Sequence, residues 1–138
     1  MKTKQNPQVL FYQKIGELFY AVAASDKVVK KAEYNALQNM VTKKWKDMDD
    51  FEDSFHTDAA YQIEIVFDWF DYEHLDADHC FESFKNYYVD HQSFFTLERK
   101  KLIWETADNI ASSFSGKNKA ELIMLAKIKL LFESSSLK

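Results

Sequence analysis

Apolar residues recur along this chain at the three-and-four spacing of helices, not at the alternation of exposed strands. Phe11, Ile15, Leu18, Phe19 and Val22 form one stripe between about Asn6 and Ala24. Asn6 followed by Pro7 suits a helix start, where a cap side chain serves unpaired amides and proline lacks one. Tyr34, Leu37, Met40, Val41 and Trp45 form a second stripe over about Lys30 to Lys46, so Ser25 to Val29 must hold the turn of a helical hairpin.

After an acidic connection from Asp47 to His56, Thr57 and Asp58 can cap a third helix with the stripe Ala59, Ile63, Val66, Phe67 and Phe70. Ile65 and Trp69 fall on its other flank. A core role for both is expected ahead of a partner surface, because central helices of small bundles are apolar most of the way round. Asp76 can cap a fourth helix bearing Cys80, Phe81, Phe84, Tyr87 and Tyr88. Thr96 and Arg99 open a fifth, continued by Ile103, Thr106, Ala107, Ile110, Ala111 and Phe114 and stopped by Ser115 and Gly116. Asn118 and Glu121 have capping-box spacing before a last stripe of Met124, Leu125, Ile128, Leu131 and Phe132, with Glu133 to Lys138 expected to fray.

Composition narrows this to one compact all-α bundle of about six helices, a single domain over residues 1–138. Hydrophobic residues make up 46% and aromatics 16%, with 12 Phe, 7 Tyr and 3 Trp, so a core is well supplied. Two glycines and one proline are too few for the turns of an all-β fold. A net charge of -4 gives no attraction to nucleic-acid phosphates. No stretch nears the ~20 apolar residues of a membrane span, and Met1 to Pro7 has no signal-peptide core. With Cys80 as the single cysteine, nothing calls for an oxidising compartment, and a cytoplasmic location is expected.

The run Leu18-Phe19-Tyr20-Ala21-Val22-Ala23-Ala24-Ser25-Asp26-Lys27-Val28-Val29-Lys30-Lys31-Ala32-Glu33 resembles the signature of TerB-like (tellurite resistance) domains. There an alanine-rich helix ends in aspartate and glycine, an aliphatic anchor follows, and a glutamate lies in the first turn of the next helix. Asp26, Val29 and Glu33 take those places. A faint echo, Ala107 to Gly116 leading to Lys119-Ala120-Glu121, resembles the second of the family's paired hairpins. Lys27 stands at the glycine position, Lys30 at that of a capping residue, and Ser115 at that of the second aspartate. The resemblance implies a non-catalytic helical binding module in a stress-associated bacterial setting. It also implies a divalent cation, Ca²⁺ or Mg²⁺, held by Asp26, Glu33 and Glu121, since hard cations take oxygen ligands.

Other constellations are weaker. The acidic run Asp47, Asp49, Asp50, Glu52 and Asp53 is not an EF-hand, because Phe51 falls on a ligand position and Glu52 on the glycine. Asp71, Glu73, His74, Asp76, Asp78 and His79 are the densest group of metal-ligand types and could serve a small metal-dependent enzyme, but they lack zinc spacing. Cys80 falls on an apolar face, where a thiol behaves as a small hydrophobe. No phosphate loop or nucleophile elbow occurs. The expected partner is another protein or, through Ile65, Trp69 and neighbouring aromatics, a second copy of the chain.

Overall fold

A computed structural model describes residues 7–46, 59–113 and 117–135. It contains six α-helices: α1 (Pro7–Ala23), α2 (Lys31–Met40), α3 (Gln62–Glu73), α4 (Ala77–Asp90), α5 (Leu97–Ser112) and α6 (Lys119–Ser135). No strand occurs among the described residues, so the all-α expectation holds. No helix is long and apolar enough to cross a membrane among the described residues. The acidic connection, the caps Thr57 and Asp58, and the stop at Phe114, Ser115 and Gly116 lie outside the described residues.

The centre of the bundle is α1, and not α3 as the apolar flanks of the latter implied. Every residue from Ile15 to Ala24 is buried, because α2, α3, α4, α5 and α6 all pack against this one helix. Its small residues permit that crowding. At Gly16 a Cβ would stand 2.6 Å from the Ile63 carbonyl oxygen, so α1 and α3 can approach this closely only without a side chain there. Glu17, at 7% exposure, reaches a partner in Lys14 at 3.1 Å, and Lys14 also donates to Ser83 at 3.0 Å. α3 buries Ile63 and Phe67 against α1 and leaves Ile65 and Trp69 55% and 58% exposed, which overturns their assignment to the core.

Caps follow the side-chain chemistry. The Asp76 carboxylate accepts from the His79 amide at 2.9 Å, and the Thr96 hydroxyl accepts from the Arg99 amide at 3.2 Å. The predicted stripe of α4, Cys80, Phe81, Phe84, Tyr87 and Tyr88, is buried throughout. It meets Phe95 and Phe132 in an aromatic cluster, with ring centres 4.8 Å apart for Tyr88 and Phe95, and Phe11 joins it through Phe95. Such edge-to-face pairs each add about 0.5–1.5 kcal/mol beyond area burial.

The second helix differs from the regular one expected. After Met40 it widens into a π turn, Val41–Trp45, in which the Lys46 amide donates to the Val41 carbonyl. The extra residue in that turn rotates Trp45 into the core, where its indole N–H donates to the Thr106 hydroxyl at 2.9 Å. Thr106 in turn donates to the Leu102 carbonyl at 2.8 Å, so both buried polar groups are satisfied. At the other end of the chain, α6 continues to Ser135, beyond the predicted fraying point at Glu133.

Candidate functional site

The residues that carried the family resemblance come together. α1 ends through the turn at Ala24 to Lys27, where the Ser25 hydroxyl donates to the Val22 carbonyl at 2.8 Å. Lys27 then takes φ 73°, the left-handed conformation for which the family pattern has glycine. A lysine there costs on the order of 1 kcal/mol. Asp26 offsets part of that cost by accepting the Val28 amide at 3.1 Å, which closes the turn.

From this turn Asp26 reaches in two directions. Its Oδ2 accepts from the Lys30 ammonium at 2.8 Å and from the Asn118 side-chain amide, 92 positions away, at 2.6 Å. Asn118 caps α6 in the reciprocal manner its spacing predicted: its oxygen accepts the Glu121 amide at 2.9 Å, and Glu121 accepts the Asn118 amide at 3.1 Å. At α2 only half of that box exists. Glu33 accepts the Lys30 amide at 2.8 Å, whereas an ammonium has no lone pair with which to return the bond.

The two capping glutamates face each other. Both are 1% exposed, and their carboxyl groups are hydrogen-bonded. Two carboxylates have no hydrogen to share, so the contact requires a proton on one of them. Burial, and then the bond to Glu121, push Glu33 up to about 8. Burial also acts upward on Asp26, but bonds from Lys30, Val28 and Asn118 outweigh it and hold this carboxyl below its usual range. The bond to Asp26 raises Lys30 in turn. Asp26, Glu33 and Glu121 thus converge, yet on an internal ammonium, an amide and a shared proton. Among the described residues, no group of three or more His, Cys, Asp or Glu is arranged to hold a metal ion. That departs from the Ca²⁺ or Mg²⁺ site the resemblance implied. Lys30, a mismatch to the family pattern, supplies the cation, and the bridge from Asn118 to Asp26 had no signal in either local motif.

The acidic and histidine-rich corner does not assemble as one group. His74 ends α3 with φ 56° and lines a cleft of about 620 Å³ together with Tyr20, Lys27, Asp71, Asp76 and Asp78. His79 lines a different depression beside Lys14, Glu82 and Ser83. Asp76 is engaged as a cap, and Tyr20 donates its hydroxyl proton to the Leu75 carbonyl at 2.6 Å. Burial, with smaller contributions from Cys80, Asp71 and Asp76, pushes that phenol up to about 12. Burial likewise pushes the Cys80 thiol up to about 12, so it is held as a thiol and not as the nucleophilic thiolate.

Among the described residues, exposed apolar side chains gather on the outer face of α3 and between α5 and α6. The outer face of α3 presents Ile65, Trp69 and Tyr72 as a ridge, the last 76% exposed and its ring stacked on Trp69 with centres 6.0 Å apart. Asp68 and Asp71 accompany them. Between α5 and α6 lies a groove of about 500 Å³ lined by Leu97, Trp104 and Phe132 and by Lys100, Lys101 and Lys129. No protein-family model, curated protein or solved structure matches this chain. What the fold defines is therefore a class, an all-α bundle with six helices among the described residues, arranged around a buried central one.

Proposed function

We propose that the chain is a non-catalytic TerB-like helical module of the bacterial cytoplasm, stress-associated as the resemblance implies, that works by binding another protein. One observation carries this reading: the stacked Trp69 and Tyr72 stand in solvent beside Ile65, on a helix whose opposite face is fully engaged with α1. Aromatic side chains of this kind dominate the energetics of protein interfaces. Asp68 and Asp71 at the ridge favour a partner that is apolar with a basic border. Asp26, Glu33 and Glu121 have a structural role in this reading, joining the two hairpins.

Selection of peptides from a displayed random library on the purified protein tests it. Enriched sequences are expected to be apolar with Lys or Arg flanks and to bind Trp69→Ala at least ~10-fold more weakly. No enrichment, or equal binding to wild type and variant, would overturn the reading.

A further inference from the structure

An apolar surface with a basic border is found on the molecule itself. In the groove between α5 and α6, the Lys129 ammonium lies 5.9 Å from the centre of the Trp104 ring, and that of Lys100 5.8 Å from the Phe132 ring. Leu97, at 76% exposure, forms one lip. The groove also carries Glu105 and Glu133, so its lysines outnumber its carboxylates three to two, and Glu105 is bound outside it to Lys44 at 3.1 Å. The outer face of α3 has the opposite sign: its exposed Ile65, Trp69 and Tyr72 are bordered by Asp68 and Asp71.

We propose that the ridge of one copy docks into the groove of a second, so that the chain associates head to tail. This rests on the interaction-module reading and names its partner. Charge selects the arrangement. A two-fold contact of ridge on ridge places Asp68 and Asp71 against their own counterparts, and groove on groove opposes lysines to lysines, whereas ridge in groove sets the aspartates against a border richer in lysine than in glutamate. Ridge and groove sit apart on one molecule, since among the described residues α3 packs on α1 with no substantial packing against α5 or α6. Each copy thus offers one of each, and the contact is heterologous, able to extend to a ring or a chain.

Complementation between two variants reads this directly. Trp69→Ala/Tyr72→Ala removes the ridge and keeps the groove; Leu97→Asp/Lys101→Glu removes the groove and keeps the ridge. All four positions are exposed or at the surface, and unchanged circular dichroism and melting temperature verify the fold. In sedimentation velocity at low salt, wild type is expected to grow with concentration beyond a dimer, each variant alone to stay a monomer, and their equimolar mixture to form a 1:1 dimer and nothing larger. Raising the salt to ~0.5 M should weaken the association, because the bordering charges are exposed. A monomeric mixture, or a ridge variant that still self-associates, overturns head-to-tail docking. A wild type that stays monomeric at millimolar concentration yet selects Trp69-dependent peptides overturns only this inference; one that selects none overturns the module reading too.

Discussion

The two turns that join helices through a Lys-Ala-Glu triplet and the outer face of α3 are opposites. At the turns, charged residues have been taken out of water and every one of them is answered within the chain, by an ammonium, an amide or a proton. On α3, large apolar rings are left exposed, stacked on each other and outside the buried core of the described residues. Burying a carboxyl is costly and is tolerated where it fixes structure; leaving a tryptophan and a tyrosine in solvent forgoes stability that a core position would give. On the proposed reading the acidic residues serve stability and the aromatic ones recognition, the reverse of what the family resemblance implies.

Glu121→Ala should break the turn region most severely. It removes the acceptor for the Asn118 amide, opens a cavity at a 1% exposed position and deprives the Glu33 carboxyl of its partner. A loss of about 3 kcal/mol is expected in urea unfolding, in keeping with the cost of orphaned buried polar groups. A loss below about 0.5 kcal/mol would mean that the cluster does not hold the hairpins together. Gly16→Ala comes next. Its Cβ would meet the backbone oxygen of Ile63, which cannot rotate away, so α1 and α3 must separate by several tenths of an ångström. About 2 kcal/mol is the expected overpacking cost, checked by the same unfolding curve.

pH sharpens the comparison further. Because the folded pKa of Glu33 is raised to about 8 from 4.5, the folded chain binds more protons than the unfolded one between those values. Stability from this group is full below 4.5 and is lost as pH rises through 8, with a slope of at most about 1.4 kcal/mol per pH unit. Asp26 acts in the other direction: its depressed pKa contributes stability above 3.8 that falls away as pH drops through its folded value. Glu33→Gln can keep a hydrogen bond to Glu121 without a titrating proton. Thermal melts from pH 5 to 9 should show the decline of wild type largely flattened in this variant, leaving the smaller share from Glu64, which burial also raises. An unchanged slope would place the titrating group elsewhere.

How much of this was legible in the sequence depends on the kind of interaction. Helix stripes and caps were, because periodicity and capping are local: Asp76, Thr96 and the Asn118 to Glu121 box form as their spacing implies. The π turn was not, since it serves a bond from Trp45 to Thr106, 61 positions away. The depth of α1 was only half visible. Its stripe of Phe11, Ile15, Leu18, Phe19 and Val22 marks one face, but the small residues Gly16, Ala21 and Ala23 that let neighbours surround it are weak hydrophobic signals. The acidic trio was found by resemblance, while its meaning was set by Lys30 and Asn118, whose convergence on Asp26 is tertiary. Ile65 and Trp69 were misplaced because apolar character on a second flank cannot by itself separate a core from an interface.

The smallest expected effect on stability is the one that decides the other half of the comparison. Trp69 and Tyr72 stack on each other and lie outside the buried core, so Trp69→Ala/Tyr72→Ala removes a solvent-exposed ring pair and little else. Substitutions at such positions usually change stability by within about 0.5 kcal/mol. A small gain is also consistent, since alanine is the better helix former. If the double variant instead unfolds more readily by about 2 kcal/mol or more, the rings belong to the fold, and the face of α3 loses its claim to be the recognition surface. If stability is unchanged while association and peptide binding vanish, the ridge is a site whose benefit is realised only on contact with a partner. That separation, with binding lost and folding kept, is the pattern that mutations in the Glu33 and Glu121 pair should never produce.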